Sequence, residues 1–246
     1  MRLQGKTAIV TGGGSGFGAG IVHRFAEAGA RVLVADINAE NAERIAADHG
    51  QVAHQVDVAD GASVDAMAAR ALSEFGHVDI LVNNAGITHV PTPMEAVDED
   101  EFDRVFAVNC KSVYLTARAL VPHFRERGAG CILNMASTAG VSPRPRLSWY
   151  NASKGWMITA TRSMAVELAP EGIRVNGLNP VMGQTALMGR FLGDDTPERR
   201  EAILSTIPLG RFSTPDDLAH AAVYLCSDEA SLVTGVCMEV DGGRCI

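Results

Sequence analysis

Nowhere does the chain approach the ~18 consecutive apolar residues that a membrane-spanning helix needs, so no spanning segment is expected. Basic charge is in deficit: 21 Lys and Arg stand against 29 Asp and Glu, for a net charge of −8. A surface of that sign does not neutralise phosphates, and no basic run marks a membrane-surface segment. Neither nucleic acid nor membrane is therefore expected as a partner. Cysteine is sparse and odd in number, with five residues scattered at 110, 131, 226, 237 and 245 and no C-x-x-C. That usage fits reduced thiols in a cytoplasmic protein rather than a disulfide framework. Seven histidines supply no H-x-x-x-H pair, so no metal site is expected. The opening "MRLQGKTAIVTGG" runs into a strand-like block without the apolar core of a secretory leader.

What the chain does have is alternation. Short β-branched runs at 7–12, 31–36, 52–58, 78–84, 131–137, 173–180 and 236–243 read as strands. Helical stretches near 17–28, 39–49, 61–75, 101–127, 150–169 and 215–227 lie between them. Strands that are apolar on both faces, joined by crossover helices, predict an α/β protein with a three-layer, doubly wound parallel sheet of seven strands. At 246 residues the chain suits one such domain, 1–246, without linker or repeat. One interval breaks the rhythm. Residues 181–212, "VMGQTALMGRFLGDDTPERREAILSTIPLGRF", form an excursion long enough to serve as a substrate loop.

After the first strand, "TGGGSGFGAG" (11–20) opens the first helix. Glycines there allow a tight turn and close approach of backbone N–H groups to a pyrophosphate, and the helix N-terminus adds partial positive charge. Gly12, Ser15, Gly16, Phe17 and Gly18 are the candidate cofactor residues of this turn. The Walker-type lysine is missing, which disfavours triphosphate hydrolysis. Asp36 ends the second strand, about 20 residues further on, where a carboxylate accepts both hydroxyls of an adenosine ribose. The same carboxylate repels a 2′-phosphate, and no base stands at Ser15 or Ile37 to offset it, so NAD is expected over NADP. Asp36 could instead cap the next helix, a task open equally to Asn38. In "SWYNASKGW" (148–156), Tyr150 and Lys154 are spaced i, i+4 and share one helical face. A free tyrosine has a pKa of about 10, and a neighbouring ammonium favours its phenolate.

Taken in order, these motifs resemble the short-chain dehydrogenase/reductase family over essentially the whole chain. "TGGGSGFG" fits its T-G-x-x-x-G-x-G. "NNAG" (83–86), Asn109, Ser137, Tyr150-x-x-x-Lys154, "NP" (179–180) and Thr185 follow in the family's order. The resemblance implies an NAD-dependent alcohol dehydrogenase or carbonyl reductase acting on a small molecule, with Asn109, Ser137, Tyr150 and Lys154 as the catalytic set. In that reading Tyr150 exchanges the alcohol proton, Ser137 holds the substrate oxygen, Lys154 also binds the nicotinamide ribose, and Asn109 anchors a water. Asp57, Val58 and Asn84 fall at family positions around the adenine, and Gly183 and Thr185 near the nicotinamide. Asn83 reads as a brace between strands. The chain departs from the family's pattern with Val181 after Pro180, and with Gly183 where a β-branched residue is common.

The resemblance further implies a homotetramer or dimer built through helices 101–127 and 150–169, and the second of these is apolar or small around most of its circumference. Burial of that helix under the 181–212 loop is the alternative. Apolar residues of that loop suit a compact cyclic or aromatic alcohol. The "THVPTP" segment and the loop look similar to a subgroup that oxidises substituted benzyl alcohols. A 3-oxoacyl thioester reductase and a non-catalytic NAD-sensing scaffold are the rival expectations. Arg144, Arg146, Arg190 and His89 lie in loops near the expected site, each either a pocket group or a solvated side chain.

Overall fold

Alternating apolar runs and helices resolve, in a computed structural model that describes residues 1–185 and 187–246, into one seven-stranded parallel sheet. The strands are β1 (Thr7–Thr11), β2 (Arg31–Asp36), β3 (Val52–Gln55), β4 (Ile80–Asn83), β5 (Gly130–Met135), β6 (Ile173–Pro180) and β7 (Cys237–Val240). Their order is β3-β2-β1-β4-β5-β6-β7. The chain reverses its direction of travel across the sheet between β1 and β4, the crevice where doubly wound sheets bind ligands.

Period-two alternation divides each strand between two cores. Ala8, Val10, Val32 and Val34 face a layer made by α1 (Gly16–Glu27), α2 (Ala39–Asp48) and α9 (Pro215–Cys226). Ile9, Leu33, Leu81 and Ile132 face α3 (Gly61–Phe75), α5 (Ser112–Arg127) and α6 (Ser148–Leu168). Between β6 and α9 the 181–212 excursion holds α7 (Met188–Leu192) and α8 (Pro197–Leu204). Residue 186 of that excursion lies outside the described residues. Among the described residues no helix is long and apolar enough to cross a membrane, and no cluster of three or more His, Cys, Asp or Glu is placed to hold a metal.

Two expectations are corrected. The helix expected over 101–127 is interrupted: α4 (Glu99–Phe106) leads into a π turn, Ala107–Lys111, before α5 begins. The wider turn carries Asn109 into the interior, where three hydrogen bonds described below offset the poorer helical geometry. The strand expected over 52–58 stops at Gln55, because the Asp57 carboxylate folds back to accept the N–H of Ala59 at 2.9 Å and starts a turn. Elsewhere the C-terminal strand ends also give way to turns. Those turns build the site.

Candidate active site

At the end of β1 the chain turns sharply through Gly12, whose φ of 62° favours glycine. A Cβ there would sit 2.9 Å from both Ala85 Cα and Asn84 Nδ2. Asn84 explains this closeness. Its Nδ2 donates to the carbonyls of Thr11 (2.9 Å) and Gly12 (3.0 Å), and its N–H donates to Thr11 Oγ1 (3.1 Å). Thr11, which the sequence offered only as part of a motif, thus pins the end of β4 to the end of β1 at the switch point. Gly16, at φ 53°, opens α1, and Ser15 stands before it with no side-chain capping bond. Gly12, Ser15, Gly16 and Phe17 line the cleft. Gly18 does not. A Cβ at Gly18 would fall 2.0 Å from the Gly12 carbonyl, so this glycine lets α1 pack closely on the turn.

Asp36 also faces the cleft. Its two oxygens accept from the N–H groups of Gly14 and Asn38, both at 2.9 Å. The N-cap of α2 is Asn38, whose Oδ1 accepts from Asn41 N at 2.9 Å, which leaves Asp36 free of that task. Arg44 reaches the Gly14 carbonyl at 3.4 Å rather than the Asp36 carboxylate. Asp57, Val58 and Asn84 complete the same end of the cleft.

The other end is deeper. Ser137 follows β5, and its Oγ accepts from Ala139 N at 3.0 Å, which orients it at the start of a short turn. Tyr150 and Lys154 come from the first two turns of α6 and are buried, yet both line the cleft. Burial pushes the Tyr150 phenol up to about 12, against the opposing influence of the Ser137 hydroxyl and the Arg144 charge. Burial likewise pushes Lys154 down to about 8. The expected coupling therefore takes a different form. Lys154 Nζ donates to the Met135 carbonyl at 2.8 Å and stands 5.9 Å from the Tyr150 ring centre, and the cation acting on the phenol is Arg144.

Asn109 is fully buried. Its Oδ1 accepts from Ile87 N, and its Nδ2 donates to Ile87 O and Ser153 Oγ, each at 2.9 Å. A Cβ at Gly86 would lie 3.3 Å from Lys154 Nζ and 3.4 Å from Asn109 Oδ1, so both groups converge on space that only glycine leaves open. Asn83 braces the strands, as expected. It donates to Asn134 Oδ1 and accepts from Thr116 Oγ1, both at 2.9 Å.

A single cleft of about 390 Å³ joins these two ends. Gly183 and Thr185 line it, together with Leu147, Met182, Leu187 and Phe191, and the Phe191 ring meets Tyr150 edge-on at 5.1 Å. Of the undecided loop residues, only Arg144 lines the cleft. Arg190 pairs with Glu101 at 3.1 Å, and Arg146 is exposed. His89 is neither at the mouth nor exposed. It is buried, with Nδ1 on the Val90 carbonyl at 2.8 Å, because its loop folds against the segment that carries Arg146.

A glycine-lined cradle running into a buried tyrosine, serine and lysine is the architecture of a nicotinamide-dependent oxidoreductase. The comparisons agree. A family model described as enoyl-(acyl carrier protein) reductase matches residues 12–244. The 4-formylbenzenesulfonate dehydrogenase of Comamonas testosteroni is 50% identical over 250 residues, spanning 99% of each chain. The D-threitol dehydrogenase of Mycolicibacterium smegmatis is 40% identical, over 100% of this chain and 95% of its own. Among solved structures, a 3-ketoacyl-(acyl-carrier-protein) reductase from Brucella melitensis complexed with NADH superposes with a TM-score of 0.95. It is 50% identical, over 99% of this chain and 100% of that one. The chain belongs to the short-chain dehydrogenase/reductase family and is an NAD-dependent oxidoreductase acting between alcohols and carbonyls.

Proposed function

We propose that this enzyme interconverts a compact, substituted benzylic alcohol and its aldehyde. The observation that carries the reading is the apolar slot beside the Tyr150 phenol, walled by Leu147, Met182, Leu187 and Phe191. Such a slot accommodates a ring, whereas a polyol would leave its hydroxyls without partners at a cost of roughly 1–3 kcal/mol each. The relative that acts on a formylbenzenesulfonate supports the same class. In this reading residues 181–212 form the substrate loop of a single domain, 1–246.

The residues present fit a nicotinamide dinucleotide. Gly12, Ser15, Gly16 and Phe17 would face its pyrophosphate, and Asp36 its adenosine ribose. Asp57, Val58 and Asn84 would face the adenine, and Gly183, Thr185, Tyr150 and Lys154 the nicotinamide riboside. When bound, NAD takes up or returns the hydride of the carbinol carbon. Ser137 Oγ holds the substrate oxygen. Tyr150 Oη receives the alcohol proton in oxidation and donates it in reduction. Buried and raised to about 12, the phenol is protonated at neutral pH, ready for reduction. Oxidation needs its phenolate, which the nearby positive charge of Arg144 favours. Asn109 would anchor a water that connects Lys154 to solvent.

A homotetramer or dimer through α5 and α6, located in the cytoplasm, completes the proposal. Its support is three exposed apolar side chains on those helices, Tyr114, Trp156 and Val166, and five cysteines that are all free. A reductase of 3-oxoacyl thioesters is the second reading, favoured by the named activity of the NADH-bound Brucella relative. An NAD-linked screen over benzylic, aliphatic, polyol and hydroxyacyl substrates, with Tyr150→Phe as the blank, decides between them. Fastest turnover of benzylic alcohols is expected. Faster turnover of hydroxyacyl thioesters or polyols overturns the first reading, and NAD binding without any turnover would leave a sensing scaffold.

A further inference from the structure

We propose that Arg144 receives an anionic substituent of the substrate, a carboxylate or sulfonate on the ring. This inference rests on the benzylic reading above and names the substrate class more narrowly. Arg144 lines the cleft beside Tyr150, Leu147 and Phe191. Among the described residues its guanidinium donates no hydrogen bond and lies within ion-pair distance of no carboxylate. Its one hydrogen bond is at the main-chain carbonyl, which accepts from Asn151 Nδ2 at 2.7 Å. Five N–H donors are therefore free to meet a planar or tetrahedral oxyanion.

The surroundings make that cation costly in the absence of a ligand. Burial holds Arg144 below its ordinary pKa, and the charge of Arg244 adds to the effect. Arg244 itself reaches Ser142 Oγ at 3.2 Å, and its buried Nε has no hydrogen-bond partner among the described residues. Two neighbouring guanidinium groups that pair with no carboxylate among the described residues form an arrangement that an incoming anion relieves. Charge is also divided along the cleft. Asp36 and Asp57 line the adenosine end, whereas Arg144 and Lys154 are the charged groups lining the reacting end.

Arg144 is also held in place. It sits between Pro143 and Pro145, and a following proline confines a residue to extended conformations. Arg146 then takes a left-handed φ of 65°, and its carbonyl accepts from Thr92 N at 2.9 Å, which ties the segment to the neighbouring loop. A main chain fixed in this way removes part of the ordering cost of meeting an anion at this position.

The test compares the parent with Arg144→Gln and Arg144→Lys on 4-(hydroxymethyl)benzoate, 4-(hydroxymethyl)benzenesulfonate and the neutral methyl ester of the benzoate. In Arg144→Gln the ratio of kcat/KM for anion over ester is expected to fall about 10- to 100-fold, mainly through KM, as for a lost charge-assisted contact. Partial recovery is expected in Arg144→Lys. Equal loss on all three substrates overturns the proposal, since Arg144 would then act only on Tyr150. Calorimetric binding of 4-methylbenzenesulfonate and 4-methylbenzenesulfonamide to the NADH-loaded protein gives a readout apart from turnover. A parent preference for the sulfonate that Arg144→Gln erases supports the anion site, even if no benzylic alcohol is oxidised and the benzylic reading falls. A parent that oxidises benzylic alcohols without preferring anions overturns the anion site and leaves the benzylic reading standing.

Discussion

The ring of Phe17 fills the space that a side chain at Gly183 would need. A Cβ on Gly183 would lie 2.2 Å from Phe17 Cζ and 3.0 Å from Ser213 Oγ. Phe17 comes from the first turn of α1 and Gly183 from the start of the 181–212 excursion after β6, so the contact joins the cradle to that excursion. It also accounts for the departure at 183: where the family commonly has a β-branched residue, this chain puts an aromatic ring across the gap.

Gly183→Val is accordingly expected to drive Phe17 toward the cleft that it already lines, weakening NADH binding by about 10-fold or more. Phe17→Leu in the same chain should restore much of the loss. A double-mutant cycle on NADH affinity reads the coupling, which for residues in direct contact is typically 0.5–3 kcal/mol. Additive effects would show that the two positions act independently.

Lys154 gives a pH signature in the cofactor-free protein. Burial lowers its pKa from 10.5 to about 8. Between those values the unfolded chain binds the proton that the folded chain has lost, so stability rises with pH across the window. The melting temperature of the parent should therefore gain on that of Lys154→Met from about pH 8 toward 10.5. Tyr150 works in the opposite direction, because its raised pKa favours the protonated folded form. Its contribution is present below pH 10 and is lost as pH rises toward 12. Parallel melting curves for parent and Lys154→Met would rule out a titrating buried lysine.

The sheet was legible because its strands are buried on both faces and read as apolar runs, and the cradle because its glycines have a steric reason to be there. Gly12, Asp36 and Tyr150 face the cleft, as their motifs implied. Other features depend on partners distant in sequence. The π turn at Asn109 answers to Ile87 and Ser153, Gly18 to the Gly12 carbonyl, and the burial of His89 to the loop around Arg146. Nor does anything in "SPRPR" distinguish Arg144, which faces the cleft, from Arg146, which faces solvent. Only the left-handed turn at Arg146 separates them.

Tyr150→Phe would remove the proposed proton carrier and leave the cradle intact. Turnover is expected to fall by ~10²–10⁴-fold, the usual contribution of a general acid–base group. NADH fluorescence titration should give an affinity close to that of the parent. Activity within a few-fold of the parent would assign the proton to another group.

Asp36 should enforce the choice of cofactor. Its carboxylate lines the cleft and holds the Gly14 and Asn38 amides. The parent is expected to show far higher kcat/KM with NAD than with NADP. In Asp36→Ala that ratio should narrow, by loss of NAD activity more than by gain of NADP activity, since Arg44 is engaged with the Gly14 carbonyl. Comparable values for the two cofactors in the parent would refute this role.

The last prediction concerns assembly. A helix that covers only one face of a sheet should turn polar side chains outward. Instead α6 leaves Val166 80% and Trp156 41% exposed, and Tyr114 of α5 is 57% exposed. The 181–212 segment does not account for these groups, because its Phe191 meets α6 at Tyr150, near the helix N-terminus. Arg118 and Arg162 are exposed on the same helices, and Arg125 is already paired with Glu167 and Glu171. Large apolar side chains left exposed beside such charges are candidates for burial against a second copy. Light scattering should therefore find a dimer or tetramer. Val166→Glu combined with Trp156→Glu should lower the mass by desolvating charge at the centre of the contact, while circular dichroism remains that of the parent. A monomeric parent, or a doubly substituted chain of unchanged mass, would place the contact elsewhere on the molecule.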